Sequence, residues 1–467
     1  LGDSLKPLIN LEKLTLGSAM NEPLNDSLIN LVNLKELVFG HRTNTSLENS
    51  LDTLASLEKL TLGFYFNKPL GDSLKSLTNL RELKLGGFYN QPIENSLQYL
   101  TKLEILDVGW NYNIELGDSL KQLKELRVLV LGSKFNRSLG DSIDKLEKLE
   151  SLIIGDSYNM KFRTSLDNLV NLRELVIGHS FNHPFMNSLK NQTNLRKLII
   201  GNGFNSELRN SFYTLTQLEE LVFGDSFNIY AHKTYMTLKN LKVLKFGRGF
   251  TNQGQPLGNS FENLTSLEIL NMGCYNNSIE NLFSALSLLK SLAFLCFNKP
   301  IENSFDTLTL LESITFLSNF NQPLKNSLQN LTALQSVTFG YDFNQPLDSS
   351  LSTLVNLRTI EFGSDFKQDL GTSLSTLINL EKVVFGYEFD QLLNETFKNH
   401  TKLKEINVGK SCYLRHLDSE DTTLENILVY ERAHLLRNQI VYDARRDHYD
   451  DRIRGFYGNY DDDHGDY

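Results

Sequence analysis

The feature that most constrains this chain is a repeat. Aligned on the last residue of a recurring Asp/Asn-Ser-Leu, the anchors fall at Leu5, Leu28, Leu51, Leu74, Leu97, Leu120, Ile143, Leu166, Leu189, Phe212 and Tyr235. They continue at Phe261, Phe283, Phe305, Leu328, Leu351, Leu374 and Phe397. Most steps are 23 residues; one is 26, around residues 253–255, and the next two are 22. A chain of 467 residues is long enough for several domains. A fixed short period means instead that stacked units share one continuous core.

Each unit carries two apolar periods. Leu74, Leu77 and Leu80 recur every three residues, which suits turn or 3₁₀ segments with one buried side. Leu83 and Leu85 are two apart, the period of a strand with one face inward. Gly86 follows, and sixteen of eighteen units have Gly there, the exceptions being Leu295 and Leu317. This glycine is expected to permit a positive φ and a sharp bend. An aromatic and an Asn come next, as in Phe66-Asn67 and Phe181-Asn182. The ring is expected to fill the core. The Asn amide is expected to serve backbone groups that lose their partners at the bend, forming a ladder from unit to unit. Pro69, Pro92 and their counterparts stiffen the turn beyond it.

An independent row tests the stacking. The residue after the leucine that precedes each strand reads Glu12, Lys35, Glu58, Arg81, Glu104, Arg127, Glu150, Arg173, Arg196. It continues Glu219, Lys242, Glu268, Lys290, Glu312, Gln335, Arg358, Glu381, Lys404. Fourteen of its seventeen adjacent pairs are opposite in sign, so consecutive units are expected to be direct neighbours about 4.8 Å apart.

Leu11-x-x-Leu14-x-Leu16 and its counterparts resemble the strand signature of leucine-rich repeats. Phe343-Asn344-Gln345-Pro346-Leu347 and Phe320-Asn321-Gln322-Pro323-Leu324 look like the FNIP repeat, a subfamily named for Phe-Asn-Ile-Pro. Thr43, Cys412, Lys367 and Asp390 depart from the aromatic-Asn pair. The resemblance implies a solenoid over residues 1–417, with about 18 units of 22–26 residues, one parallel sheet on the inner face and turn or 3₁₀ segments outside. FNIP-type proteins are known chiefly from amoebae and the large DNA viruses that infect them. Some carry an F-box ahead of the repeats and act as substrate receptors for ubiquitin ligases. The chain opens at Leu1, inside a repeat and without Met, so an N-terminal segment is expected to precede it.

Sheet residues pointing away from the core line the inner curve. One such position reads Val130, Ile153, Val176, Ile199 and Val222 in five successive units, and Ile105 and Val128 lie nearby. Two readings compete: good strand formers shielding one another on a tightly curved face, or an exposed apolar patch that binds a protein. These seven residues are the candidate protein-binding site.

Other signals point away from chemistry. A formal net charge of −10 argues against a general nucleic-acid binder, and no apolar run is long enough to span a bilayer. The odd cysteine count, three, implies no disulfide framework and favours a cytoplasmic, reducing setting. Cys274 and Cys296 occupy equivalent positions in adjacent units and are expected to be near neighbours, as free thiols rather than a disulfide. His179 and His183 lie on a bend and make a poor metal pair. The Asn-x-Ser/Thr triplets are what so Asn-rich a chain carries by chance. No phosphate loop, nucleophile elbow or acid–base set is visible, so neither catalysis nor a cofactor is expected. Residues 418–447 show helical spacing at Leu424, Ile427, Leu428, Leu435 and Val441 and read as a helical cap, while 448–467 read as an acidic, disordered tail. The functional expectation is a protein-binding scaffold, with self-assembly into a fibre or viral particle as the alternative.

Overall fold

The computed structural model describes residues 2–408, apart from 19–21, 231–233, 392, 394 and 395. The expected helical cap and acidic tail lie outside the described residues. Within them the chain winds as a right-through stack of turns, each contributing one short strand to a single parallel sheet. Eighteen strands run from β1 (Lys13–Thr15) to β18 (Glu405–Asn407), and each pairs with the next in sequence.

Register follows the repeat. Leu83 pairs with Leu106, 23 residues on. Across the long unit Leu244 pairs with Leu270, and across the short ones Leu270 pairs with Leu292 and Leu292 with Ile314. Changes in unit length are therefore absorbed outside the sheet, because a slip of one residue would turn every core side chain outward.

The core is one continuous column. In the fourth turn Leu70, Leu74, Leu77, Leu80, Leu83, Leu85 and Tyr89 are each no more than 3% exposed. The three-residue spacing has a backbone counterpart: Leu77 N–H donates to Leu74 O at 3.1 Å and Leu80 N–H to Leu77 O at 3.0 Å. These successive tight turns form the outer arc. The aromatic that follows the strand builds a spine from Phe66 through Tyr89, Tyr112, Phe135, Tyr158, Phe181, Phe204, Phe227 and Phe250 to Tyr275, with ring centroids 5.9–6.4 Å apart. A second run links Phe297, Phe320, Phe343, Phe366 and Phe389. Burial pushes the Tyr112 hydroxyl up to about 12 and the Tyr89 and Tyr158 hydroxyls higher still, so all three stay protonated.

The post-strand glycines correct one expectation. At Gly40, Gly63 and Gly86 a Cβ would sit 2.0, 2.3 and 2.2 Å from the carbonyl oxygen of the preceding turn's glycine. What the position requires is backbone-to-backbone contact between turns, not a positive φ. Among the described residues of this column Gly109 and Gly273 alone take a positive φ, and in both the strand residue two before, Asp107 or Asn271, accepts the glycine N–H at 2.9 Å.

The left-handed region is used elsewhere, at the residue just after the apolar side chain that opens the outer arc. Gly71, Gly117, Gly140 and Gly371 adopt it freely, but Glu48, Glu94, Arg163, Met186, Lys325 and Asp348 adopt it too, with φ between 40° and 51°. An L side chain there costs on the order of 1 kcal/mol. Glu94→Gly is therefore expected to stabilise the stack by about 1 kcal/mol in urea unfolding, whereas Gly86→Ala, which drives a methyl into the Gly63 carbonyl, is expected to lower the unfolding midpoint sharply.

Candidate interaction surfaces

The turn-to-turn ladders define which surfaces remain available to a partner. The Asn ladder runs in one direction: each Asn carbonyl accepts the backbone N–H of its counterpart one turn on. Asn44 receives Asn67 N–H at 2.9 Å, Asn67 receives Asn90 and Asn90 receives Asn113. The series continues through Asn136, Asn159, Asn182 and Asn205 to Asn228. In the long unit Asn228 takes both Thr251 N–H and Gln253 N–H. The ladder resumes at Asn276 and runs through Asn298, Asn321 and Asn344 to Lys367, whose side chain has no acceptor to continue it.

A second Asn ladder escaped the sequence reading. Just before the last leucine of the outer arc, Asn33, Asn79, Asn171, Asn194, Asn240, Asn356 and Asn379 each donate from the amide to a backbone carbonyl one turn back, at 2.7–3.0 Å. The signal was present as a recurring Asn beside a core leucine.

The charged row before the strands stacks as expected. Lys35 meets Glu12 at 2.8 Å, Lys242 meets Glu219 at 2.9 Å, Lys290 meets Glu268 at 2.7 Å and Lys404 meets Glu381 at 2.6 Å. Arg81 pairs with Glu104, Arg127 with Glu150, and Arg196 with Glu219. Hydrogen bonds from these lysines hold the carboxyls of Glu12, Glu219, Glu268 and Glu381 below the usual range, and Arg196 adds to the effect at Glu219. The row is solvent-exposed, so it specifies register more than it adds stability.

The concave face divides into zones. At its centre, across β6 (Val128–Leu131), β7 (Ser151–Ile154), β8 (Glu174–Ile177) and β9 (Lys197–Ile200), Val130, Ile153, Val176 and Ile199 form one cluster with Val128 and Val222 packed against it. Those four are only 2–5% exposed. Of the two readings the sequence left open, the central four residues follow the shielding one: on the curved inner face neighbouring branched side chains close over one another. Ile105, Val128 and Val222, at the margins of the cluster, stay partly open. Beside it lies an ion-pair row that the sequence reading did not single out. Lys197 bridges Glu174 at 3.9 Å and Glu220 at 3.1 Å, and Ser151 Oγ donates to Glu174 at 2.8 Å. Further along, β11 (Val243–Phe246), β12 (Ile269–Met272) and β13 (Ser291–Phe294) offer a more open surface, with Ile269 37% exposed.

Beyond the strand ends the turns form a rim. His179 Nδ1 accepts Asn202 N–H at 3.2 Å, Asn202 accepts Asp225 N–H, and Asp225 accepts Arg248 N–H. His183 contacts the Asn159 carbonyl at 3.1 Å. The two histidines are thus engaged in turn-to-turn bonds, and among the described residues no cluster suited to a metal occurs. In the same column Cys274 and Cys296 are bonded to each other with Cα atoms 4.4 Å apart, where the sequence reading favoured free thiols. Stacking in register brings the two sulfurs together. No helix among the described residues is long and apolar enough to cross a membrane.

With this geometry in place, the relatives agree with it. Residues 72–247 match a leucine-rich repeat region family, and residues 299–416 match the BspA-type leucine-rich repeat region. Leucine-rich-repeat families therefore account for both stretches, and the fold is a leucine-rich-repeat solenoid. The crystal structure of CroV588, described as a novel circular leucine-rich-repeat protein, is 25% identical with a TM-score of 0.67; the similarity covers 87% of this chain and 64% of that one. The Leptospira interrogans protein LIC12759 is 20% identical over 82% of this chain and 92% of that one, with a TM-score of 0.63. The TLR13–ssRNA13 complex is 19% identical over 87% of this chain and 65% of that one, with a TM-score of 0.58. This chain thus spans less than two thirds of the length of CroV588 and of TLR13, and the latter two likenesses concern the fold alone. No curated protein matches the sequence at a significant level.

The charge row sets a pH dependence. Carboxyls depressed in the folded state contribute fully above their ordinary value, near 4.5, and that contribution is lost as pH falls through the lower folded values. The unfolding midpoint is expected to drop between about pH 5 and pH 3, less steeply in about 1 M salt than in dilute buffer, as followed by circular dichroism. Val176→Lys tests the closed centre of the concave face: an ammonium in so enclosed a site is expected to cost roughly 3 kcal/mol, while an open patch would accept it with little change.

Proposed function

We propose that this chain is a non-enzymatic protein-binding scaffold that receives its partner on the concave sheet. The observation that carries this reading is the zoned inner face. Its closed apolar centre from Val130 to Ile199 acts as a rigid floor, and Ile105, Val128, Val222 and Ile269 offer apolar contacts at its margins. Paired charges such as Glu174–Lys197–Glu220 border the floor and set orientation. Every inner side chain is held by two neighbouring strands, so the surface is preorganised and loses little entropy on binding.

A protein partner fits this face better than a nucleic acid. TLR13 was solved with a single-stranded RNA, but this chain carries a net charge of −10 and its inner lysines are tied to glutamates. The FNIP assignment draws support from the ladders: the motif's aromatic and Asn each have a defined place, one in the spine and one at the corner. On that assignment the scaffold would present substrates to a ubiquitin ligase when joined to an F-box outside the present sequence.

Capture of binding proteins from lysate tests the reading with two variants, after circular dichroism establishes that both fold. Val222→Glu with Ile269→Glu is expected to lose the captured partner, whereas Lys148→Glu on the outer arc is expected to keep it. Equal capture by both would remove the concave face from consideration.

A further inference from the structure

The strand-end rim carries a feature that the scaffold reading does not use. At its N-terminal end four rings pack together, two of them exposed. His41 stacks on Phe64 at 4.9 Å, Tyr65 stacks on Phe88 at 4.9 Å, and Phe64 meets Phe88 edge-on at 5.3 Å. Phe64 lies over Gly87, where a Cβ would come within 2.2 Å of the ring. Tyr65, Phe88 and Trp110, the only tryptophan of the chain, are 43%, 38% and 41% exposed. Arg42 stands beside them in the open. An aromatic cluster with arginine at its edge has the composition of a binding hot spot, and water is a poor partner for it.

The opposite end of the same rim is acidic, where the aromatic end carries Arg42. There the corresponding positions are Tyr341-Asp342, Ser364-Asp365 and Tyr387-Glu388, with Tyr341 and Tyr387 40% and 56% exposed. Numbering turns by their strands makes the match specific. Two copies laid rim to rim and antiparallel, turn 2 against turn 17, bring Arg42 opposite Glu388, Tyr65 opposite Asp365 and Phe88 opposite Asp342. In the neighbouring column His41 meets Tyr387, Phe64 meets Ser364, Gly87 meets Tyr341 and Trp110 meets Ser318, so that in the last three pairs a large group faces a small one. At the centre Asn202 faces Asp225, donor to acceptor, and Arg248 arrives opposite His179, one turn from Asp156. The adjoining central positions are Ser157, Ser180, Gly203, Ser226 and Gly249, small enough for the two rims to touch.

We propose that this rim is the docking surface for a second copy of the chain, in a two-fold antiparallel dimer. The arrangement is isologous: each end of one copy meets the other end of its mate, and the contact closes without polymerising. The tyrosine hydroxyls and carboxylates of the C-terminal rim supply polar partners to Arg42, while Trp110 and Phe88 lose water. Glu388 already meets Lys367 at 3.1 Å, so Arg42 would join an existing pair rather than a bare carboxylate.

Sedimentation velocity of the full chain from about 1 to about 100 µM tests the proposal, with circular dichroism to establish folding of each variant. The native chain is expected to dimerise, with the Trp110 emission shifting to the blue as it does. Arg42→Glu and Glu388→Arg are each expected to weaken association about tenfold, the two together to restore it, and Trp110→Ala to weaken it by about tenfold or more. A native chain that stays monomeric throughout overturns the proposal. So does a dimer indifferent to all three single changes, and failure of the double variant to recover overturns the antiparallel register.

Discussion

Every turn of this solenoid has to solve the same problem at the corner where it leaves the sheet. Backbone N–H groups that run out of strand partners must find an acceptor. The solution is an Asn carbonyl held one turn away, and it works only if the turns sit at a fixed spacing. That spacing is set beside it by the glycine column, where backbone presses on backbone with no room for a methyl. Strand pairing, the aromatic spine and the charged row all inherit the same rise. Where Leu295 and Leu317 replace the glycine, strand pairing carries the rise from turn to turn without it.

Features that repeat along the sequence were legible before any coordinates. The triplet and doublet spacing gave the outer turns and the strands, the aromatic-Asn pair gave the spine and the corner ladder, and the alternating charges gave the neighbours. Each of these is a property of one unit multiplied by stacking. What the sequence left open or misread concerns properties that exist only between units. Whether Val176 is open, where two readings stood side by side, depends on how tightly the sheet curves, which no single unit encodes. The post-strand glycine looked like a conformational requirement, yet its real constraint is the carbonyl of another turn. Asn33 and its counterparts went unread because their acceptors lie one turn back. Cys274 and Cys296 were placed side by side correctly, and only their bonding was misjudged.

The irregular units concentrate in one region. Turn 11 is long, turns 12 and 13 are short, and there the Asn ladder breaks, the glycine gives way to Leu295 and Leu317, and a disulfide joins adjacent turns. From turn 13 onward the position at the end of each strand is a run of phenylalanines. Phe294, Phe316, Phe339, Phe362 and Phe385 stack on one another and on the spine, so the core there is aromatic twice over. The sheet passes through without losing register, because the extra residues follow the aromatic Phe250 and the missing ones fall between the strand end and the aromatic, outside the strands.

The corner ladder has a direction, and direction gives the solenoid a grammar of damage. Each Asn serves not its own turn but the one that follows, so the residue that is altered and the backbone that suffers belong to different units. Lys367 shows this in the natural sequence: it is well held by Asn344 and leaves its successor to manage without it. Heredity in such a chain is therefore skewed, with every turn depending on the side chain of its predecessor. Drift in one repeat is judged by selection through the fit of the next, which couples the evolution of neighbours even though each unit looks self-contained.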